Sequence, residues 1–255
     1  MLPELLPPAG VAGADVPLLV HYEADGRRTA LTAAQLGGWA ARTAGLLHDC
    51  GLGPGSRAAA LLPPHWRTAA ALLGAWSLGV TVSFHLAATA GLPDVGPDAG
   101  VPFDVVFAAR DRLGSWLESV PDAPHRFVFG TPAAGSVGGS ASGDPRDVLG
   151  YRDFDAAVAA YPASTPAPAL IRPGAAASGD GTTYGQWGSI ARELADRQDL
   201  RPGDRVVVDT SEHEHPVKWL LAPLSIGASI ILCPGPSHLS TITAAESATR
   251  VFGTL

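Results

Sequence analysis

The sequence predicts an α/β protein made of two similar subdomains with mainly parallel sheets. Short apolar runs typical of buried strands alternate with longer segments of helical periodicity. Glycine and proline mark the turns between these segments, and the second half of the 255 residues repeats the order of the first. Strands that alternate with helices in this way lie parallel and are buried on both faces.

Composition limits the classes of protein to be considered. Hydrophobic residues make up 46% of the chain, which is enough for a substantial core. The net charge is −7 and there is no run of basic residues, so we expect no nucleic acid and no membrane among the partners. The N-terminus has no basic region of the kind found in signal peptides, and no apolar stretch reaches the roughly 18 residues that a membrane helix needs. The two cysteines fit no zinc or redox spacing. We therefore expect a cytoplasmic protein.

The first subdomain begins with a hairpin and a capped helix. Leu18 to Glu23 and Arg28 to Leu31 are predicted strands on either side of a turn. Thr32 and Gln35 form the pattern of a capping box, which predicts a helix from this point to Gly51.

A strand–helix–strand unit follows. Arg57 to Leu62 is an apolar run, His65 to about Leu78 has helical spacing, and Val80 to Phe84 is a second apolar run. This order predicts a parallel pair of strands joined by a crossover helix. Further strands are predicted at Phe103 to Ala108 and Arg126 to Phe129, with a short helix at Asp111 to Ser119 between them.

The middle of the chain is rich in Gly, Ser and Pro and has too little apolar material to fold by itself. We therefore divide the chain into a first α/β subdomain at 1–130, a connector with a short helix at 131–164, and a second α/β subdomain at 165–255.

The second subdomain matches the first at a nearly constant separation, which predicts an internal duplication. Chance agreement among common turn residues is the alternative. The matches are Thr183 and Gln186 with Thr32 and Gln35 at a separation of 151 residues, and Pro202–Arg205 and Leu220–Gly227 with Pro54–Arg57 and Leu72–Gly79 at 148.

Several of these segments resemble adenylate-forming enzymes, the acyl-CoA synthetase and AMP-binding superfamily. The segments are Leu31–Leu36, Gly51–Arg57, Leu61–Pro64, Ala69–Gly79, Gly203–Val208, Leu220–Leu224 and Gly227–Leu232. The resemblance covers roughly residues 28–85 and 165–252. It implies that family's N-terminal fold of two pseudo-symmetric subdomains, without its smaller C-terminal domain and catalytic lysine. We therefore do not expect this chain to complete adenylation alone.

The resemblance also implies where a phosphate loop would lie, between a predicted strand at Ala169–Ile171 and the helix that begins at Thr183. The family's loop ends in Pro-Lys-Gly, whereas this one has no lysine and contains Asp180. An ordinary loop that caps a helix is the alternative. The candidate phosphate-binding residues are Arg172, Ser178, Gly179, Gly181, Thr182 and Thr183, and the cofactor they imply is ATP or AMP with magnesium.

A second polar segment, Asp209–Lys218, follows a predicted strand, where parallel sheets bind ligands. The resemblance places His213 or His215 where the family often has a histidine in its acyl pocket. A metal held by both histidines with Glu212 or Asp209 is an alternative, and a polar loop at a helix start is another. We assign no metal, because an isolated His-x-His pair lacks a third ligand at fixed spacing.

The sequence thus predicts a shortened, adenylate-forming-like protein that binds a nucleotide or an acyl ligand between its subdomains. The alternative is a non-catalytic interaction protein, either a homodimer or a subunit that completes an active site in another chain.

Overall fold

The computed structural model describes residues 16–89, 99–115, 120–130, 150–164 and 171–253. Two five-stranded sheets form the framework. Every strand pairing in them is parallel except that of the first hairpin. The predicted α/β class with mainly parallel sheets is therefore confirmed.

The N-terminal elements agree with the sequence prediction. Strands β1 (Pro17–Tyr22) and β2 (Arg28–Thr32) pair as an antiparallel hairpin. Helix α1 (Ala33–Asp49) begins at a capping box, in which the Thr32 hydroxyl accepts from the Gln35 amide and the Gln35 side chain accepts from the Thr32 amide.

The predicted strand–helix–strand unit is also present. Strands β3 (Arg57–Leu61) and β4 (Thr81–Phe84) are parallel neighbours, and helix α2 (Trp66–Ser77) crosses between them. The side chain of His65 caps α2 by accepting a hydrogen bond from the Arg67 amide at 3.0 Å.

The rest of this sheet comes from the middle of the chain. Strand β5 (Val105–Ala109) precedes helix α3 (Arg110–Ser115), strand β6 (His125–Phe129) follows, and β7 (Arg152–Asp153) leads into helix α4 (Phe154–Ala159). The strand order is β4-β3-β5-β6-β7.

The C-terminal part supplies most of the other sheet. Helix α5 (Tyr184–Arg197) is followed by strands β8 (Arg205–Asp209), β9 (Ser229–Cys233) and β10 (Arg250–Val251). A π-helical turn at Val217–Leu221 continues into helix α6 (Ala222–Ser225), and helix α7 (Pro236–Ala245) follows β9. The strand order is β10-β8-β9-β1-β2.

Strand pairing crosses the division of the chain that the sequence predicts. The hairpin β1–β2 lies within 1–130, yet β1 pairs with β9 of the second half, and β7 of the connector pairs with β6. A strand's own pattern reports its burial and not its partner, so this pairing had no sequence signal. The predicted strand at 169–171 is outside the described residues except for Ile171, which lies in no strand, and residues 131–149 of the connector are outside them as well.

The main core lies between the two sheets, where α1, α2 and α5 are packed, and a smaller apolar cluster covers the outer face of each sheet. Helices α1 and α2 cross closely at Gly74, where a Cβ atom would lie 2.7 Å from the Ala40 carbonyl oxygen and from the Thr43 Cβ. In the described part of the chain, no helix is both long and apolar enough to cross a membrane.

Candidate functional site

A cavity of about 420 Å³ lies along the edge strand β4 and is called the β4 cavity below. Its walls come from β4 and the residues after it, from the loop before α5, and from the segment after β8. Among its lining residues are Val82, Ser83, Phe84, Ser178, Gly179, Asp180, Trp187 and His215.

The structure brings together three of the residues proposed from the sequence, Ser178, Gly179 and His215. The other five candidates do not line this cavity. Arg172 is exposed, and Gly181 has a positive φ of 87° at a turn. Thr183 caps α5, and Thr182 lines a different pocket beside that helix. His213 is buried away from the cavity.

The loop before α5 is fixed to the edge of β4. The Val82 amide donates to the Ala177 carbonyl at 3.0 Å, and the Trp76 indole donates to the same oxygen at 3.2 Å. Gly179 then lies against Ser83, so closely that a Cβ atom would be 2.1 Å from the Ser83 hydroxyl oxygen. Glycine is therefore the residue that lets the loop approach the strand.

Asp180 occupies the polar groups of this loop. Its Oδ1 accepts from the Ser178 hydroxyl and, at 2.9 Å, from the Thr182 amide. The Trp187 indole donates to the Ser178 oxygen at 3.1 Å, which directs the serine proton toward Asp180. Partial burial opposes ionisation, but the hydrogen bonds from Ser178 and Thr182 outweigh it and lower the pKa of Asp180.

Asp180 places a negative charge among the residues that the sequence analysis proposed for phosphate binding. The hydroxyl and the amide that would receive a phosphate already have an anionic partner in Asp180. The nearest candidate cation by sequence, Arg172, does not line the cavity. An anion beside Asp180 would meet like charge, whereas Arg57 offers a positive charge at another part of the same cavity.

His215 presents a neutral ring to the β4 cavity. Its Nδ1 accepts from the Val217 amide at 3.2 Å, so the proton of the neutral ring is on Nε2. Burial lowers its pKa to about 4 against the opposing charge of Asp180. Its ring centroid is 5.2 Å from that of Phe84 and 5.3 Å from that of Trp187, so three rings form one wall.

The neighbours of His215 point in other directions. His213 is 2% exposed and packs on the ring of Phe252 at 5.1 Å. Glu214 forms an ion pair with Arg112 and accepts from the Ala87 amide at 2.7 Å, which ties this segment to the opposite sheet. Among the described residues, no group of three metal-ligating side chains includes either histidine, so the alternative of a metal at His213 and His215 finds no support.

Sequence reasoning missed Phe84 and Trp187 as site residues. The end of a parallel strand was a usable signal for Phe84, since ligands bind at such ends. Trp187 has the helical spacing of a core residue and is 6% exposed, so no pattern marked it as part of a wall.

Comparison with known proteins identifies a family. No family model matches the sequence. The chain is 32% identical over 247 residues to a Mycobacterium tuberculosis protein described as a TIGR03089 family protein, an alignment that covers 92% of this chain and 91% of that protein. This chain belongs to the TIGR03089 family.

Solved structures agree on the fold. The acyl-CoA synthetase of Brucella canis matches 94% of this chain with a TM-score of 0.69 and 21% identity. An anthranilate CoA ligase in complex with anthranoyl-AMP matches 98% with a TM-score of 0.68 and 17% identity, and the N-terminal domain of FACL13 from M. tuberculosis matches 98% with a TM-score of 0.66 and 13% identity. The resemblance to the N-terminal domain of adenylate-forming enzymes is thereby confirmed for the fold, and the chain spans 45%, 48% and 62% of the three structures' lengths.

Proposed function

We propose that the β4 cavity binds a neutral, flat acyl group, such as an aromatic thioester, and that this chain does so without adenylating it. The observation that supports this most is the pairing of Asp180 with Ser178 and Thr182, which occupies one hydroxyl and one amide of the loop beside a cavity with an aromatic wall.

The shape and chemistry of the walls favour such a ligand. A volume of about 420 Å³ is within the range of small-molecule sites. The rings of Phe84, Trp187 and His215 offer faces and edges against which a planar group packs well. The Nε2–H of His215 is a neutral donor for a carbonyl oxygen.

Asp180 restricts the charge of the ligand. Its carboxylate stands at the cavity wall with a lowered pKa, so it is ionised at neutral pH. A carboxylate or phosphate beside it would be repelled. The ligand's group that faces Asp180 is therefore neutral or a hydrogen-bond donor.

Isothermal calorimetry with a neutral benzoyl thioester, and separately with ATP and magnesium, tests the proposal. We expect saturable binding of the thioester, weakened at least about tenfold in Phe84→Ala through loss of ring contact. His238→Ala, on an exposed face of α7, is the matched control and keeps the affinity.

Two results would contradict the proposal. One is thioester binding that is absent, or that is unchanged in Phe84→Ala. The other is ATP binding that is lost in Ser178→Ala, which would favour the prediction from the sequence that the ligand is a nucleotide. The predicted homodimer or protein partner stays a prediction: the exposed large apolar side chains among the described residues, Val16, Val101, Ile190 and Val251, lie in four separate segments of the chain.

A further inference from the structure

Three metal-ligating side chains that do not line the β4 cavity lie close together. His21 lies near the end of β1, Glu23 directly follows that strand, and His65 caps α2. One ligating atom from each lies within 4.8 Å of the others. The rings of His21 and His65 are 4.2 Å apart, and the His65 Nε2 is 3.7 Å from the Glu23 Oε1. We call these residues the His21–His65 cluster.

His21 is the unusual member. It is 7% exposed, and its buried Nδ1 has no hydrogen-bond partner among the described residues. Buried polar atoms are nearly always paired, so an orphaned imidazole nitrogen needs an explanation. A bound ion would supply the missing partner.

Both imidazoles are in the form that binds metals. Burial, assisted by Arg67, lowers the pKa of His21 to about 4. Burial, assisted by His21 and Arg67, lowers the pKa of His65 to about 2. Both rings are therefore uncharged at neutral pH, so neither has to release a proton from an imidazolium before a nitrogen lone pair can coordinate a metal.

We propose that His21, Glu23 and His65 bind one divalent transition-metal ion, with zinc as the best match. Two imidazoles and a carboxylate are a common donor set for zinc with an open fourth position. Zinc–nitrogen bonds are about 2.0–2.1 Å, so ligand atoms around a tetrahedral ion are roughly 3.4 Å apart. The spacing of the cluster needs an inward movement of about 1 Å, within the range of side-chain rotation.

Binding changes the cap of α2. His65 Nδ1 accepts from the Arg67 amide at 3.0 Å, so the ring proton is on Nε2 when no metal is bound. Coordination by Nε2 requires the tautomer with the proton on Nδ1. That tautomer gives up the hydrogen bond from the Arg67 amide, and this amide becomes a local reporter of binding.

Three arginines, Arg27, Arg67 and Arg110, line the cavity beside the cluster. Arg67 is paired with Asp155 at 2.6 Å, and Arg27 is paired with Asp25 at 2.7 Å. These two carboxylates reduce the repulsion that a bound cation would meet, and Glu23 supplies a negative charge within the cluster itself.

A second cavity gives the ion an open side. It has a volume of about 450 Å³, it is lined by Glu23 and His65 among others, and it shares no lining residue with the β4 cavity. It lies at the carboxyl ends of β3, β5 and β6, where parallel sheets bind ligands.

Equilibrium dialysis against zinc, and absorption spectra with cobalt as a zinc substitute, test the proposal on the full chain. His65→Asn is the sharpest variant, because asparagine still caps a helix but removes one ligand. Glu23→Gln removes the carboxylate charge at a partly exposed position. His48→Asn, at an exposed position on α1, is the matched control for adventitious binding to surface histidines.

We expect one tightly bound zinc per chain and a cobalt spectrum of low coordination number without thiolate bands. His65→Asn should weaken zinc binding by more than the roughly 10–100-fold that loss of a hydrogen-bond partner of a metal ligand costs. Glu23→Gln should weaken zinc binding less than His65→Asn does, and His48→Asn should leave it unchanged. In amide NMR spectra the Arg67 signal should shift on zinc addition. No bound zinc in the wild type, or an affinity unchanged in a folded His65→Asn, would overturn the proposal.

Discussion

The two cavities differ in the side chains that they offer to a ligand. At the β4 cavity Asp180 accepts from the Ser178 hydroxyl and the Thr182 amide, the rings of Phe84, Trp187 and His215 form one wall, and Arg57 lines another part. At the His21–His65 cluster a buried imidazole nitrogen is left without a partner. A wall of aromatic rings favours a flat ligand, whereas two neutral imidazoles beside a carboxylate favour a metal ion.

The largest expected effect concerns zinc and stability. A ligand that binds only the folded state at 100 times its Kd stabilises a protein by about 2.7 kcal/mol. Wild-type thermal unfolding should therefore move upward at such a zinc concentration, and that of His65→Asn should not. An equal shift in both proteins would mean that the zinc binds elsewhere.

Gly179→Ala should have the next largest effect, because its Cβ would collide with the Ser83 hydroxyl. We expect a loss of about 1–3 kcal/mol in urea denaturation, together with weaker thioester binding. Ser83→Ala removes the colliding oxygen, so the same glycine substitution should cost less in that background. Equal costs in both backgrounds would show that the loop does not depend on this contact.

The pH dependence of stability should run in one direction. His21 and His215 have folded-state pKa values of about 4 and His65 of about 2, all below the ordinary histidine value of 6.5. Between pH 6.5 and 4 the unfolded chain then binds more protons than the folded one, so the free energy of unfolding falls as the pH is lowered through this window.

Urea midpoints measured in a zinc chelator at several pH values would check this. His65→Asn removes one of the three groups and should reduce the dependence, whereas His48→Asn should not. A wild-type midpoint that stays constant from pH 6.5 to 4 would contradict the assignment.

Asp180→Asn should have the smallest effect. The amide oxygen can keep both hydrogen bonds in the loop, but the negative charge is gone. Removing a like charge near an exposed anion is worth about 1 kcal/mol, so ATP affinity should rise roughly fivefold in calorimetry. Unchanged or weaker ATP binding would mean that Asp180 does not exclude phosphates.

The fold was largely predictable because it depends on local patterns. The capping box at Thr32 and Gln35 and the strand β3 follow from periodicity and turn residues alone. Pairing of β1 with β9 was not predictable, since it joins segments more than 200 residues apart and no local pattern encodes a partner.

The candidate site was predictable only in part. Sequence placed Ser178, Gly179 and His215 near a ligand, and the structure brings them to one cavity, but their role stays a prediction. The unfavourable charge of Asp180 was visible in the sequence, whereas its hydrogen bonds were not. His21 and His65 are 44 residues apart with no motif spacing, so their meeting depends on how two sheets are arranged.

The most direct test of this contrast is a crystal structure from crystals grown with zinc, a benzoyl thioester, ATP and magnesium, with anomalous data at the zinc edge. We expect one anomalous peak among His21, Glu23 and His65, and thioester density against Phe84 and Trp187. We expect no phosphate density at the loop of Ser178 to Thr182. Phosphate bound at that loop, or zinc only at exposed histidines, would contradict these expectations.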